Sequence, residues 1–171
     1  VIEVHTEALG PSHTDTLKAK MALANLLKAL GEHAEARVLY YEVVAGRTEA
    51  LGPSHTDTLK VKNNLANLLQ GLGEQAEARA LHEEAITGYS KALGPSHTDT
   101  LCAKHNLAIL LNDLGERGEA RALVEEVRAL KREDEAGRAA RVGRTMKAFQ
   151  GHVDWLTKRA TFAEDALEAV S

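Results

Sequence analysis

The nine residues LGPSHTDTL occur three times, at Leu9–Leu17, Leu51–Leu59 and Leu93–Leu101, always 42 residues apart. A fixed period of this length marks a chain built from stacked copies of one supersecondary unit, and it limits the fold more than composition does. Shifting the chain by one period aligns Ser12–Ala50 with Ser54–Ala92 at roughly two-thirds identity, and less closely with Ser96–Asp134. Leu30-Gly31-Glu32 recurs as Leu72-Gly73-Glu74 and Leu114-Gly115-Glu116, and Ala36-Arg37 as Ala78-Arg79 and Ala120-Arg121. Thr6-Glu7-Ala8 also matches Thr48-Glu49-Ala50. Residues 1–10 are therefore expected to end a preceding repeat helix, as in a processed protein or an excised fragment. Three units then fill residues 11–136, and a tail fills 137–171.

Each unit reads as two helices. In the first, from about Asp15 to Leu30, Leu17, Leu23, Leu26, Leu27 and Leu30 fall at helical rather than alternating spacing. Ser12 or Thr14 is the expected cap, Asp15 suits the positive end of the helix dipole, and Gly31 stops the helix. The second, from about His33 to Ala50, is expected to bury Ala36, Leu39, Tyr40, Val43 and Val44. Gly52-Pro53 ends it, because proline cannot continue a helix. Short connections make the two helices antiparallel. No segment alternates as a strand would, so the fold class is all-α. A hairpin that cannot bury its apolar face alone must stack on its neighbours, which gives a right-handed α-solenoid with a C-terminal capping helical tail.

The repeated His-Thr-Asp poses the question of chemistry. His13, His55 and His97 could pair with Asp15, Asp57 and Asp99 as metal or acid–base sites. Stacked helices lie about 8–10 Å apart, so the three sets form a row rather than one cluster. One His and one Asp also fall short of the four ligands of a closed zinc site. The motif therefore reads as a joint, and neither metal nor cofactor is expected. No phosphate-loop, dinucleotide, HExxH or CxxC motif is present. Cys102 and His105 stand one turn apart, but nothing supplies an oxyanion hole or a third member, so no enzyme is expected. The net charge of −4 gives no reason to expect nucleic acid. A single cysteine excludes an intramolecular disulfide and favours the cytoplasm or another reducing compartment, organelles included. No apolar run approaches the roughly 20 residues a bilayer demands.

The runs NNLANLLQGLG (Asn63–Gly73) and EARALHEEAI (Glu77–Ile86), together with LGPSHTDTL, resemble the 42-residue tetratricopeptide repeat of kinesin light chains and nephrocystin-type proteins. That family's linker usually carries proline where this chain has Thr14, Thr56 and Thr98. A hydroxyl there keeps a capping group at the cost of a pre-set first turn. The resemblance implies a non-enzymatic scaffold whose first helices line a concave groove for an extended protein or peptide. The implied groove positions hold Lys18, Met21, Ala22, Asn25 and Lys28 in the first unit, and Lys60, Asn63, Asn64, Asn67 and Gln70 in the second. The third offers Cys102, His105, Asn106, Ile109 and Asn112. Side-chain amides can both donate to and accept from a peptide backbone. A carboxylate clamp for chaperone tails is not implied, because its asparagines match Asn25 and Asn64 but its cations fall on Met21, Cys102 and Asn106.

The tail differs in charge. Residues 128–159 hold nine Lys or Arg against four Asp or Glu. Val142, Met146, Phe149, Val153 and Leu156 fall on one helical stripe, and Arg138, Arg141 and Lys147 lie off it. Thr161–Glu164 reads as a capping box that opens a last short helix. Such a tail either caps the array or docks on a partner or an anionic membrane surface through Arg138, Arg141, Lys147, Phe149 and Trp155, with Trp155 and Phe162 as aromatic anchors for either purpose. A structural subunit held in a larger assembly through its convex face and this tail is thus the alternative function.

Overall fold

Residue 10 and residues 12–168 are described by the structure, a computed structural model, with side chains given for residues 10, 12–147 and 150. Six helices follow one another: α1 (Thr14–Leu30), α2 (His33–Leu51), α3 (Thr56–Gly71), α4 (Gln75–Leu93), α5 (Thr98–Asp113) and α6 (Arg117–Glu168). No strand occurs among the described residues. The expected preceding helix, residues 1–10, falls almost entirely outside them. The chain divides into two compact units, Val1–Leu130 and Lys131–Ser171.

Two recurrent turns shape the first unit. At Gly31, Gly73 and Gly115 the backbone enters the left-handed region, with φ of 81–83°. The Glu32 N–H then bonds the Leu27 carbonyl at 2.9 Å and the Gly31 N–H bonds that of Lys28 at 3.2 Å. This double closure of orphan carbonyls is a Schellman motif, which turns the chain sharply into the next helix. The second turn is the repeated nine residues. Gly52 takes φ 92° and ψ 159°, and Gly94 takes φ 96° and ψ 160°, a region open essentially to glycine alone. The Thr58 hydroxyl donates to the Gly52 carbonyl at 2.9 Å, and Thr100 does the same to Gly94 at 2.8 Å. Thr16, Thr58 and Thr100 are all fully buried.

The helix caps differ from expectation. Neither Ser12 nor Thr14 caps α1. The N-cap is His13, whose Nδ1 accepts the Asp15 N–H at 3.3 Å, and His55 and His97 cap α3 and α5 in the same way at 3.2 Å. An imidazole nitrogen serves here as the acceptor usually supplied by a short oxygen side chain.

Helix pairs α1–α2 and α3–α4 pack as hairpins, and each hairpin packs on the next. The core is aliphatic, with Leu17, Leu27, Leu65, Leu69, Leu107 and Leu111 drawn from the first helices and Ala36, Tyr40, Val43 and Ala78 from the second. Leu39 and Val44 pack against its edge half-buried. Gly46 and Gly88 permit close approach within hairpins: a Cβ on Gly88 would stand 2.5 Å from Leu59 Cδ1. Each hairpin also carries one internal ion pair at the same offset, Lys20–Glu42 (2.7 Å), Lys62–Glu84 and Lys104–Glu126 (2.5 Å). The lysines are largely covered and the glutamates face water.

Leu26 and Leu30, two of the apolar positions that mark α1 as a helix, are 55% and 64% exposed. Leu68 and Leu110 occupy the register of Leu26 one and two units on, and are 2% and 0% exposed. A preceding hairpin buries this register, so on the first described hairpin it lies open.

The second unit is helical through Glu168, with no break at Gly137 or at the Thr161 capping box. The separate last helix expected from that box does not form: one helix of 52 residues replaces it. Side chains from Lys131 to Lys147 are exposed apart from Asp134, which is half-buried and pairs with Arg138 at 2.6 Å.

Candidate functional site

The polar wall runs along the first helices α1, α3 and α5. Asn64 Nδ2 on α3 donates to Asn25 Oδ1 on α1 at 3.5 Å, and Gln70 Nε2 on α3 donates to Asp113 Oδ2 on α5 at 2.8 Å. These bonds join neighbouring first helices into one continuous face. One unit beyond the Asn25–Asn64 pair, the same registers hold Asn67 and Asn106. Both are half-exposed, and neither side chain hydrogen-bonds another described residue.

The expected groove residues separate into three groups. Met21 is buried in the core and leaves the wall altogether. Asn25, Asn63 and Gln70 are at the surface, but their side chains already have partners. Asn25 Oδ1 accepts the Tyr40 hydroxyl at 2.6 Å, and Asn63 Oδ1 accepts from His82 Nδ1 at 2.9 Å. Lys18, Lys60, Asn64, Asn67, His105, Asn106 and Asn112 are exposed or half-exposed along the same helices. Lys18 leans on Asp15 at 3.2 Å. Lys28 is half-buried, and burial lowers its pKa. The face therefore offers amides and ammonium groups with little apolar surface beyond Ala22 and Ile109.

Sequence reasoning placed Tyr40 in the core but missed its bond to the wall, and it missed His82 altogether. The two sit at one register, one unit apart, fully buried beneath the wall. Each anchors an asparagine from below. Burial pushes the Tyr40 hydroxyl pKa up and the His82 pKa down to about 4, so the imidazole is neutral at ordinary pH. The hydrogen bond to Asn63 Oδ1 places the His82 proton on Nδ1, and its buried Nε2 has no partner among the described residues. A signal was available: this register of the second helices changes from Tyr40 to His82 to Val124 between the constant Ala36-Arg37 and Glu42 positions.

Chemistry finds little foothold. Among the described residues no group of three or more His, Cys, Asp or Glu could hold a metal. The repeated His-Thr-Asp sets are spent on capping. Cys102 and His105 are both exposed on α5. No described helix is long and apolar enough to cross a membrane. In the tail, Arg138, Arg141 and Lys147 are exposed around Val142 and Met146, whereas Phe149, Trp155 and Phe162 lie outside the described side chains.

An all-helical array of hairpins with Schellman turns and a buried-threonine joint defines a helical repeat protein. The tetratricopeptide repeat model matches residues 15–91 and 57–133, and the chain belongs to that family. Among solved structures, nearly identical TPR-like repeats from Podosopora anserina, described as a kinesin light chain, match at 30% identity with a TM-score of 0.68. That match covers 78% of this chain and 63% of the other. A point variant of the same repeats matches at 29% identity with a TM-score of 0.70, covering 79% and 64%. BtubC from P. vanneervenii matches at 20% identity with a TM-score of 0.72, covering 78% and 54%, and so shares the fold. The chain thus spans under two thirds of the length of each of these structures. No curated protein matches it significantly.

Proposed function

We propose that this chain is a non-enzymatic scaffold that holds an extended segment of a protein partner against the first-helix wall. The observation that carries this reading is the unengaged amide pair Asn67 and Asn106, set on adjoining helices with the Lys60 ammonium on the same face. An extended peptide needs donors and acceptors along its backbone, and amides supply both without regard to side-chain sequence. Lys18 and Lys60 add a preference for acidic segments. The family to which the chain belongs supports the same class of function, since such repeats generally bind proteins.

The test is affinity capture of partners, identification by mass spectrometry, and titration of the purified partner against an Asn67→Ala/Asn106→Ala variant. Loss of two to three charge-independent hydrogen bonds should weaken binding by about 10–100-fold. The melting temperature should hold, because neither amide is bonded within the fold. Unchanged affinity in the double variant would sink the groove reading.

A second reading rests on the tail. Val142 and Met146 are 62% and 63% exposed amid Arg138, Arg141 and Lys147. A basic helix with an open apolar pair is suited to docking on a partner or an anionic surface. If Val142→Asp/Met146→Asp releases the partner while the groove variant keeps it, the tail is the docking element.

A further inference from the structure

The wall is closed at one joint and open at the next, and the second helices supply the difference. In the first hairpin the Tyr40 hydroxyl reaches Asn25 Oδ1 at 2.6 Å, and the same oxygen accepts Asn64 Nδ2 at 3.5 Å from the next hairpin. One period on, Asn67 and Asn106 hold those two wall positions, and His82 holds the place of Tyr40. His82 bonds neither of them. Its Nδ1 meets Asn63 Oδ1 at 2.9 Å, one helical turn before Asn67 on α3. All four residues belong to the first compact unit.

The two side chains carry their donors at different reach. A phenol holds its hydroxyl beyond the ring, whereas the imidazole Nδ1 is a ring atom next to Cγ and lies nearer the main chain. Both rings are fully buried, yet they deliver a proton to different turns of the helix packed on them. The acceptor changes with the donor. Asn63 stands in the register of Met21, which is buried and has no oxygen to offer. In the third hairpin Val124 supplies no donor, and Ile109 replaces the asparagine. The residue below and the wall residue above it thus change together through the three hairpins. His82 Nε2 is buried without a partner among the described residues, so the bond to Asn63 is what orients the ring.

We infer that His82 is a positioning residue of the wall: by donating to Asn63 it leaves the Asn67 amide, and with it Asn106, free to bond a peptide backbone. The use of that amide by a peptide rests on the groove reading proposed above, whereas its freedom belongs to the fold.

Nuclear magnetic resonance of the isotope-labelled full chain reads that freedom without a partner. In the wild type the Asn25 side-chain amide should be rigid, and those of Asn67 and Asn106 mobile on the nanosecond scale. His82→Tyr supplies a hydroxyl where the first hairpin has one, and His82→Phe adds the same ring without it. The Asn67 amide should shift and stiffen to the level of Asn25 in His82→Tyr and stay mobile in His82→Phe. Tyr40→Phe, whose ring already fits, should loosen Asn25. The partner purified by affinity capture is the binding probe: His82→Tyr should bind it about 2–10-fold more weakly than His82→Phe, the worth of one hydrogen bond. An Asn67 amide already rigid in the wild type, or still mobile in His82→Tyr, overturns the role of His82. So does an Asn25 amide that Tyr40→Phe leaves rigid, and that arm decides alone where neither His82 variant folds. If Asn67 stiffens but both His82 variants bind equally, the Asn67→Ala/Asn106→Ala variant separates the causes. Weakened binding by it refutes only the role of His82, and unchanged binding refutes the groove reading as well.

Discussion

The substitution Thr58→Val isolates what the repeated nine residues contribute. Thr58 is fully buried, and its hydroxyl donates to the Gly52 carbonyl across six residues at 2.9 Å. Valine has nearly the same shape and suits the same backbone, so neither cavity nor strain accompanies the change. What disappears is one buried hydrogen bond, and the Gly52 carbonyl keeps only the longer one from the His55 N–H at 3.4 Å. Losing such a bond costs about 0.5–1.5 kcal/mol. For a folding unit of this size that corresponds to a fall of roughly 2–6 °C in melting temperature. The control is Thr98→Val, the same chemical change two residues earlier in the third copy of the motif, where the side chain is exposed. It should move the transition by less than about 0.5 kcal/mol. Thermal melts followed by far-ultraviolet circular dichroism compare the two directly. If Thr58→Val melts with the wild type, or if both variants fall equally, the hydroxyl is not the tie that closes the joint.

Alanine in place of two glycines should act with opposite signs. Gly88→Ala brings a Cβ to 2.5 Å from a buried Leu59 methyl and should destabilise by about 1–3 kcal/mol, whereas Gly71→Ala meets nothing within 4 Å and should stabilise by about 0.5–1 kcal/mol in urea titrations. His82 should leave a mark on the pH profile. Its pKa lies at about 4 in the folded chain against 6.5 when solvated, so the unfolded chain takes up the proton first as pH falls. Its contribution is therefore intact above pH 6.5 and is lost between 6.5 and about 4, at no more than about 1.4 kcal/mol per pH unit. The difference in stability between the wild type and His82→Leu, measured across that window, should be steep. A flat difference would remove His82 as the cause.

Much of the architecture was legible because one period repeats every signal. Helix spacing, the glycine stops and the proline after each second helix agree at three places, and together they require a helical array. The caps were not legible, because histidine is not a usual capping residue and two hydroxyls stood on either side of it. Leu26 and Leu30 showed the limit of periodicity. It identifies the apolar positions of a unit but not which of them face a neighbour, so an outer face reads like an inner one. The capping box at Thr161 failed for another reason: a helix already under way needs no new start. For the wall, the pattern found the right helices but not the side chains already engaged, because Tyr40 and His82 reach up from the partner helix.

Three sequence offsets recur in the polar wiring: six residues from glycine carbonyl to threonine, 22 from lysine to glutamate within a hairpin, and 37 from arginine to glutamate between hairpins. A DNA duplication or deletion of one whole period, wherever its breakpoints fall, preserves all three. The gene can thus lengthen or shorten the array by unequal crossing-over without inventing a contact, while residues such as Asn67 and Asn106, bound by none of the offsets, can diverge from copy to copy.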